Sequence, residues 1–266
     1  MIMKSKYTKE MLMEQLEQMG LKKDDAIMIH SSMKAIGDVE GGADAVVDAW
    51  MSYFSDGLLM TPTHTWKQMS KEYRVFDPKT EPACVGILPN IFRKREGVVR
   101  SLHPTHSIAA YGKMAEAYIK GDELSNTPCP PTGCFGRLRD IHAKILLIGV
   151  THIRNTYIHS VEETFDVPER FTAEQFPFQV KMSDDSLKDV PMYRHDNPVN
   201  PHISEEYDKL MQGFYDNGVA IRGRFGDAEC ILCDAQKLYE VTGRVLSHEK
   251  NCLIERESIP DEWFKS

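Results

Sequence analysis

No stretch of this 266-residue chain approaches the roughly 20 consecutive apolar residues that a membrane span requires. The opening residues, MIMKSKYTKE, hold no apolar core of the kind a secretory signal carries, so a cytoplasmic protein is expected. Basic residues are in the minority: 32 Lys and Arg stand against 40 Asp and Glu, a formal net charge of −8. That balance lacks the basic footprint of a general nucleic-acid binder, and no nucleic-acid partner is expected. It suits a small cationic substrate instead, because an acidic cleft attracts cations. The phosphate fingerprints GxxxxGKS/T and GxGxxG are both missing, which excludes a P-loop and a dinucleotide-binding turn. HExxH and HxxEH are missing too, and no metal is expected. Cysteines number only six, and without a signal free thiols are the expectation. Cys230-Ile-Leu-Cys233 has zinc-like spacing, but its neighbours are strand formers, and residues three apart on a strand point to opposite faces. No second CxxC completes a four-ligand site, so these two read as buried thiols.

What is present is a soluble globular composition, 41% hydrophobic and 27% charged, in a chain long enough to bury a sizeable core. Thr8 is placed to cap a helix carrying Leu12 and Leu16, and Gly20 closes it. Ala26 to His30 reads as a buried strand ending in Ser31 and Ser32, followed by a turn to Gly37. Gly41-Gly42 precede a helix whose apolar face holds Val46, Val47, Trp50 and Phe54. Leu58 to Met60 begins a strand with a polar end, Thr61-Pro-Thr-His-Thr65. Helix, strand, helix, strand predicts a mixed, partly parallel sheet flanked by helices, an α/β fold. Val98 to Arg100 and Ser107 to Tyr111 read as extended, and Thr127 to Gly136, rich in Pro, Cys and Gly, as a shaped loop. After Val167 the texture changes. Strands are predicted at Phe176 to Met182 and Val190 to Tyr193, a helix from Ser204, and strands again at 220–225 and 229–233. No linker is visible, so residues 1–266 read as a single domain with a smaller β-rich subdomain from about 170 to 233.

The stretch carrying the most chemistry is Gly149 to Glu163, GVTHIRNTYIHSVEE, led in by the apolar run Ile145 to Val150. A helix there puts Thr156, His159, Glu162 and Glu163 on one face. A neutral imidazole beside a carboxylate at a strand end can serve as a general base with its orienting partner. The same spacing also describes a surface helix with a His–Glu pair. His103-Pro-Thr-His106-Ser107 gathers two imidazoles and two hydroxyls suited to hydrogen-bonding a ligand or loop backbone. Cys129 and Cys134 would act as nucleophiles only beside a base or cation.

Six segments stand in a telling order: His30-Ser-Ser-Met-Lys-Ala-Ile-Gly37; Gly41-Gly-Ala-Asp-Ala-Val-Val-Asp48; Met60 to Thr63 with the His and Thr that follow; His103-Pro-Thr-His-Ser-Ile-Ala-Ala-Tyr-Gly112; Thr132 to Leu138; and Ile148-Gly-Val150 with Asn155-Thr-Tyr-Ile-His-Ser-Val-Glu162. In this order, over residues 8 to about 260, the chain resembles the antibiotic N-acetyltransferase family, the aminoglycoside 3-N-acetyltransferases. The resemblance implies that family's mixed α/β fold, distinct from the Gcn5 type. It implies acetyl-coenzyme A as co-substrate, no metal, and an amine of a 2-deoxystreptamine ring as acceptor, hence antibiotic resistance. It places Ser31 and Ser32 at the coenzyme's phosphate end, and His103, His106 and Ser107 along the coenzyme cleft. His159 matches the catalytic histidine and Glu162 the acid after it; Thr151 or nearby amides would hold the oxyanion. Glu163 adds a second acid, and the sequence does not separate the two as partners of His159. Two rivals remain: a cysteine-dependent acyltransferase using Cys129 or Cys134, and a non-catalytic coenzyme A-binding protein. The oligomeric state is left open, a homo-oligomer included.

Overall fold

The computed structural model describes residues 6–197 and 203–265. Among them, seven strands form one sheet: β1 (Ala26–Ser31), β2 (Leu58–Pro62), β4 (Val99–Arg100), β5 (Ile108–Gly112), β6 (Lys144–Ile148), β9 (Ala220–Phe225) and β10 (Ala228–Asp234). Their spatial order is β4-β5-β2-β1-β6-β10-β9. The central trio β2-β1-β6 is parallel, and the outer strands on both sides run antiparallel. A second sheet joins β3 (Val75–Phe76), β7 (Gln179–Lys181) and β8 (Leu187–Asp189). The segment from 170 to 233 is therefore divided: β7 and β8 lie in the small sheet, whereas β9 and most of β10 extend the large one.

The central strands are apolar on both faces because both faces are covered. Ile27 and Ile29 of β1 and Leu146 and Ile148 of β6 enter one core. Met28, Ile145 and Leu147 enter the other. Helices α1 (Lys9–Gln18) and α3 (Gly42–Tyr53) supply Leu12, Leu16, Val46 and Trp50 to the first core, joined by Leu88 and Phe92 of α4 (Ile87–Phe92). The second core is covered by α5 (Ala115–Ile119), α6 (Tyr157–Thr164), α7 (Met211–Asp216), α8 (Ala235–His248) and α9 (Cys252–Glu255). Thr8 and Asp234 cap α1 and α8 by accepting backbone N–H bonds from Met11 and Lys237. Cys230 and Cys233 lie in opposite cores, as the period of a strand requires, and all six cysteines are free.

Three elements depart from the sequence reading. The turn before Gly37 is a short helix, α2 (Met33–Ile36). The strand expected at Val190 to Tyr193 forms instead at Leu187–Asp189, with Met192 meeting Phe176 only in an isolated bridge. The helix expected from Ser204 begins as a 3₁₀ turn, Tyr207–Leu210, before α7. No described helix is long and apolar enough to cross a membrane.

Candidate active site

The carboxyl ends of β1, β2 and β6 open into a cleft of about 640 Å³, the place where parallel α/β sheets gather ligands. His30 and Ser31 reach it from β1, Pro62 and His64 from β2, and Val150 from the segment after β6. Chain reversal after β6 depends on Gly149, whose φ of +62° is left-handed and whose absent Cβ would stand 2.2 Å from the Ala35 Cβ. A 3₁₀ turn at His152–Arg154 follows, and α6 then presents His159 to the cleft.

Glu162 is one turn further along α6 and 1% exposed beneath His159. Between them stands Tyr207, whose hydroxyl is 2.6 Å from His159 Nδ1 and 2.5 Å from Glu162 Oε2. A carboxylate only accepts, so the hydroxyl donates its one proton to Glu162 and accepts from His159. That chain keeps the proton of the neutral ring on Nδ1 and leaves Nε2 with a lone pair. His159 Nδ1 also lies 3.5 Å from Glu162 Oε2. The other carboxylate oxygen, Oε1, accepts from Arg170 Nε at 3.0 Å, and Arg170 is itself 2% exposed. Burial alone would raise the Glu162 carboxyl, but its contacts with His159, Arg170 and Tyr207 outweigh that and hold it below its ordinary value.

Glu163 turns elsewhere. Its oxygens accept from Thr127 Oγ1 at 2.6 Å and from the Cys129 amide at 2.7 Å. Burial pushes its carboxyl up to about 8. Of the two acids, Glu162 is the one within reach of His159.

Around His159 lies a ring of further imidazoles. His195 packs on His159 with centroids 4.1 Å apart, His106 on His195 at 5.2 Å, and His64 on His106 at 4.7 Å. Burial drives His64, His106 and His195 well below the usual imidazole range, so these three are neutral at physiological pH. His64 Nε2 sits 3.0 Å from the hydroxyl of Thr156, which also lines the cleft.

Other residues singled out in the sequence fall in different places. Ser31 and His106 line the cleft, and the buried Ser31 hydroxyl and His30 Nε2 make no hydrogen bond to the described residues. Ser32 stands at the N-cap of α2, and Thr151 precedes the 3₁₀ turn; neither lines the cleft. His103 is turned inward: its Nδ1 accepts from the amides of Thr105 and His106, which leaves Nε2 to donate to Thr127 O at 3.1 Å. Ser107 is fully buried and bonded to Thr63 and Arg100, a knot that ties β5 to β2. Cys129 and Cys134 are 1% and 2% exposed, and burial raises both thiols well above their ordinary value. Neither is placed as a nucleophile. The charged lining is mostly basic, Lys67, Arg154 and Arg194 against Glu205, in contrast to the acidic cleft suggested by net charge.

Tyr207, Arg170 and His195 belong to this site without a signal in the sequence, whereas His64 lies in the polar strand end, Thr61 to Thr65, that the sequence already singles out. Tyr207 falls within the helix expected from Ser204, and no pattern marks Arg170. Only the fold brings them to α6.

A family model described as aminoglycoside 3-N-acetyltransferase matches residues 28–247. Aminoglycoside N(3)-acetyltransferase VIII of Streptomyces fradiae is 30% identical over 255 residues, covering 86% of this chain and 87% of the relative. Among solved structures, aminoglycoside acetyltransferase AAC(3)-IVa in complex with gentamicin superposes with a TM-score of 0.82 at 23% identity, over 98% of this chain and 95% of that one. The binary complex of AAC-IIIb with CoASH gives 0.79 at 20% identity, over 92% and 97%. At these identities the two structures show that the fold is shared.

Proposed function

The chain belongs to the aminoglycoside 3-N-acetyltransferase family, and we propose that it moves the acetyl group of acetyl-coenzyme A to the 3-amino group of an aminoglycoside's 2-deoxystreptamine ring, with His159 as the base. The observation that carries this reading is the Glu162–Tyr207–His159 relay, which fixes the tautomer and aims a free imidazole nitrogen at a cleft. An ammonium has no lone pair, so His159 Nε2 must first take its proton. The amine then attacks the thioester carbonyl while Glu162 stabilises the imidazolium through Tyr207; as the tetrahedral intermediate collapses, the coenzyme thiolate leaves and takes up the proton that the nitrogen sheds, and the imidazolium returns its own to solvent. Both substrates meet in one cleft, and their alignment supplies part of the rate. Ser31 and the basic residues Lys67 and Arg154 suit the phosphates of the coenzyme.

For the tetrahedral oxyanion we assign Thr156 in preference to Thr151, because Thr156 lines the cleft and Thr151 does not. Thr156→Val is expected to lower kcat by about 10²–10³, the usual cost of one oxyanion donor. Thr151→Val should leave it nearly unchanged. The reverse pattern in steady-state kinetics would move the assignment.

The activity itself is tested with purified protein, acetyl-coenzyme A and a panel of aminoglycosides, with release of the free thiol as readout. Simple monoamines belong in the panel because the cleft's charged lining is mostly basic. Thiol release with an aminoglycoside, and a product acetylated at the 3-amino group by mass and NMR, is the expected result. Coenzyme binding without turnover on any acceptor would favour the non-catalytic reading.

A further inference from the structure

Behind the relay, one group of metal-ligating side chains converges that acetyl transfer does not use. Cys129, Glu163 and His195 offer a sulfur, a carboxylate oxygen and a ring nitrogen, all within 4.8 Å of one another. His195 Nε2 already lies 3.5 Å from Glu163 Oε1. These residues come from a loop, a helix and a strand-flanking segment far apart in sequence, so no motif spacing could announce them. Phe171 stacks on the His195 ring at 6.0 Å and 17°, which holds its plane.

We propose that Cys129, Glu163 and His195 form a three-ligand site for Zn(II), and that filling it restrains His195 beside His159 and slows turnover. The donor set selects the metal: thiolate, imidazole and carboxylate together suit zinc and its neighbours rather than the oxygen-seeking Mg(II) or Ca(II). Zinc–ligand bonds of about 2.0–2.3 Å put tetrahedral ligand atoms roughly 3.3–3.7 Å apart, so the three atoms need to close by about 1 Å. Side-chain rotation covers that distance. Glu163 keeps lone pairs for the ion while it still accepts from Thr127 and the Cys129 amide. The thiol proton, and the proton that the raised Glu163 carboxyl holds near neutrality, are released to solvent as thiolate and carboxylate bind, and a water completes the fourth position. His195 lines the cleft and gives the ion its way in.

The consequence for catalysis follows from contact. His195 packs 4.1 Å from His159, centroid to centroid. An imidazole anchored to zinc no longer adjusts when His159 becomes charged. Zinc here is inhibitory and structural to the ring stack, and no step of the reaction passes through it.

Metal binding is independent of the acetyl-transfer reading; the effect on turnover rests on it, and the experiment separates the two. Protein freed of metal with a chelator is titrated with Co(II), and separately dialysed against Zn(II) with the bound metal measured. The expected result is a thiolate-to-cobalt charge-transfer band in the near ultraviolet, displaced by Zn(II), and one zinc more per chain than Cys129→Ala retains. That variant loses only the sulfur; the amide that holds Glu163 stays. Its basal turnover is expected to match the parent's in chelator. Added zinc should then lower acetylation by the parent and not by the variant, with chelator restoring the parent. Acetylated product is followed by mass, since zinc also binds the thiol of released coenzyme. No thiolate band in the parent, or a band that survives Cys129→Ala, overturns the site. If Cys129→Ala does not fold, His195→Gln takes its place in the cobalt titration, and an unchanged spectrum there overturns it equally. Metal bound through Cys129 with no change in turnover overturns the inhibition alone.

Discussion

His159→Ala is expected to lower kcat by about 10²–10⁴, the usual worth of a positioned general base. The Michaelis constant for acetyl-coenzyme A should change little, because His159 Nε2 is assigned to the amine. Tyr207→Phe keeps the ring and removes the hydroxyl that joins His159 Nδ1 to Glu162 Oε2. It should cost less than loss of the base, and so should Glu162→Gln, which keeps an acceptor but loses the charge that favours the imidazolium. An independent readout distinguishes these roles. The parent's rate should rise with pH along one limb. In His159→Ala that limb should vanish when the acceptor is a low-pKa amine, already neutral and less in need of a base. Tyr207→Phe should retain the limb and displace it. If the sequence pattern described only a surface helix, His159→Ala would be almost silent. A silent variant that folds and binds coenzyme would remove the basis for the proposed mechanism.

Periodicity made the central framework readable because burial on both faces leaves a strong signature. The apolar runs at β1, β2 and β6, the faces of α1 and α3, and the cap Thr8 all follow from local pattern. The small sheet was harder. Its strands are two or three residues long, too short for an alternation to show. Half of the relay was legible for the same reason: His159 and Glu162 are one turn apart on a single helix, so spacing alone predicts their contact. The other half was not, because Tyr207 and Arg170 meet Glu162 through tertiary folding, 45 and 8 residues away in sequence. His103 shows the converse case. Its pattern left a ligand or loop backbone open as partner and the resemblance placed it along the cleft; two backbone amides and a carbonyl consume both ring nitrogens. Sequence identifies a polar side chain but not which of its atoms the backbone has already satisfied.

Arg170 carries the largest expected effect on stability. Its guanidinium is buried, bonded to Glu162 Oε1, Pro168 O and Asn251 Oδ1. Arg170→Met is expected to cost about 3–5 kcal/mol, because removing one member of a buried pair leaves the other charge without its counterion. Glu162→Gln leaves the opposite charge stranded. Joining the two substitutions should therefore cost clearly less than the sum of the single ones, the non-additivity of groups in direct contact. The pH dependence has a defined sign. In the parent, Glu162 lies below its ordinary value, so its contribution is fully present above the unfolded value of about 4.3 and is lost as pH falls through the lowered folded value. Without Arg170 the carboxyl moves back up, because burial then meets less opposition. The gap in unfolding free energy between parent and Arg170→Met is thus widest near neutrality, narrows as pH falls through the variant's higher folded value, and is smallest below the parent's lowered one, where the carboxyl is protonated in both. Urea unfolding at several pH values measures it. A gap that stays constant across that range, or single costs that simply add, would show that Arg170 acts by filling space and not by holding Glu162 charged beneath His159.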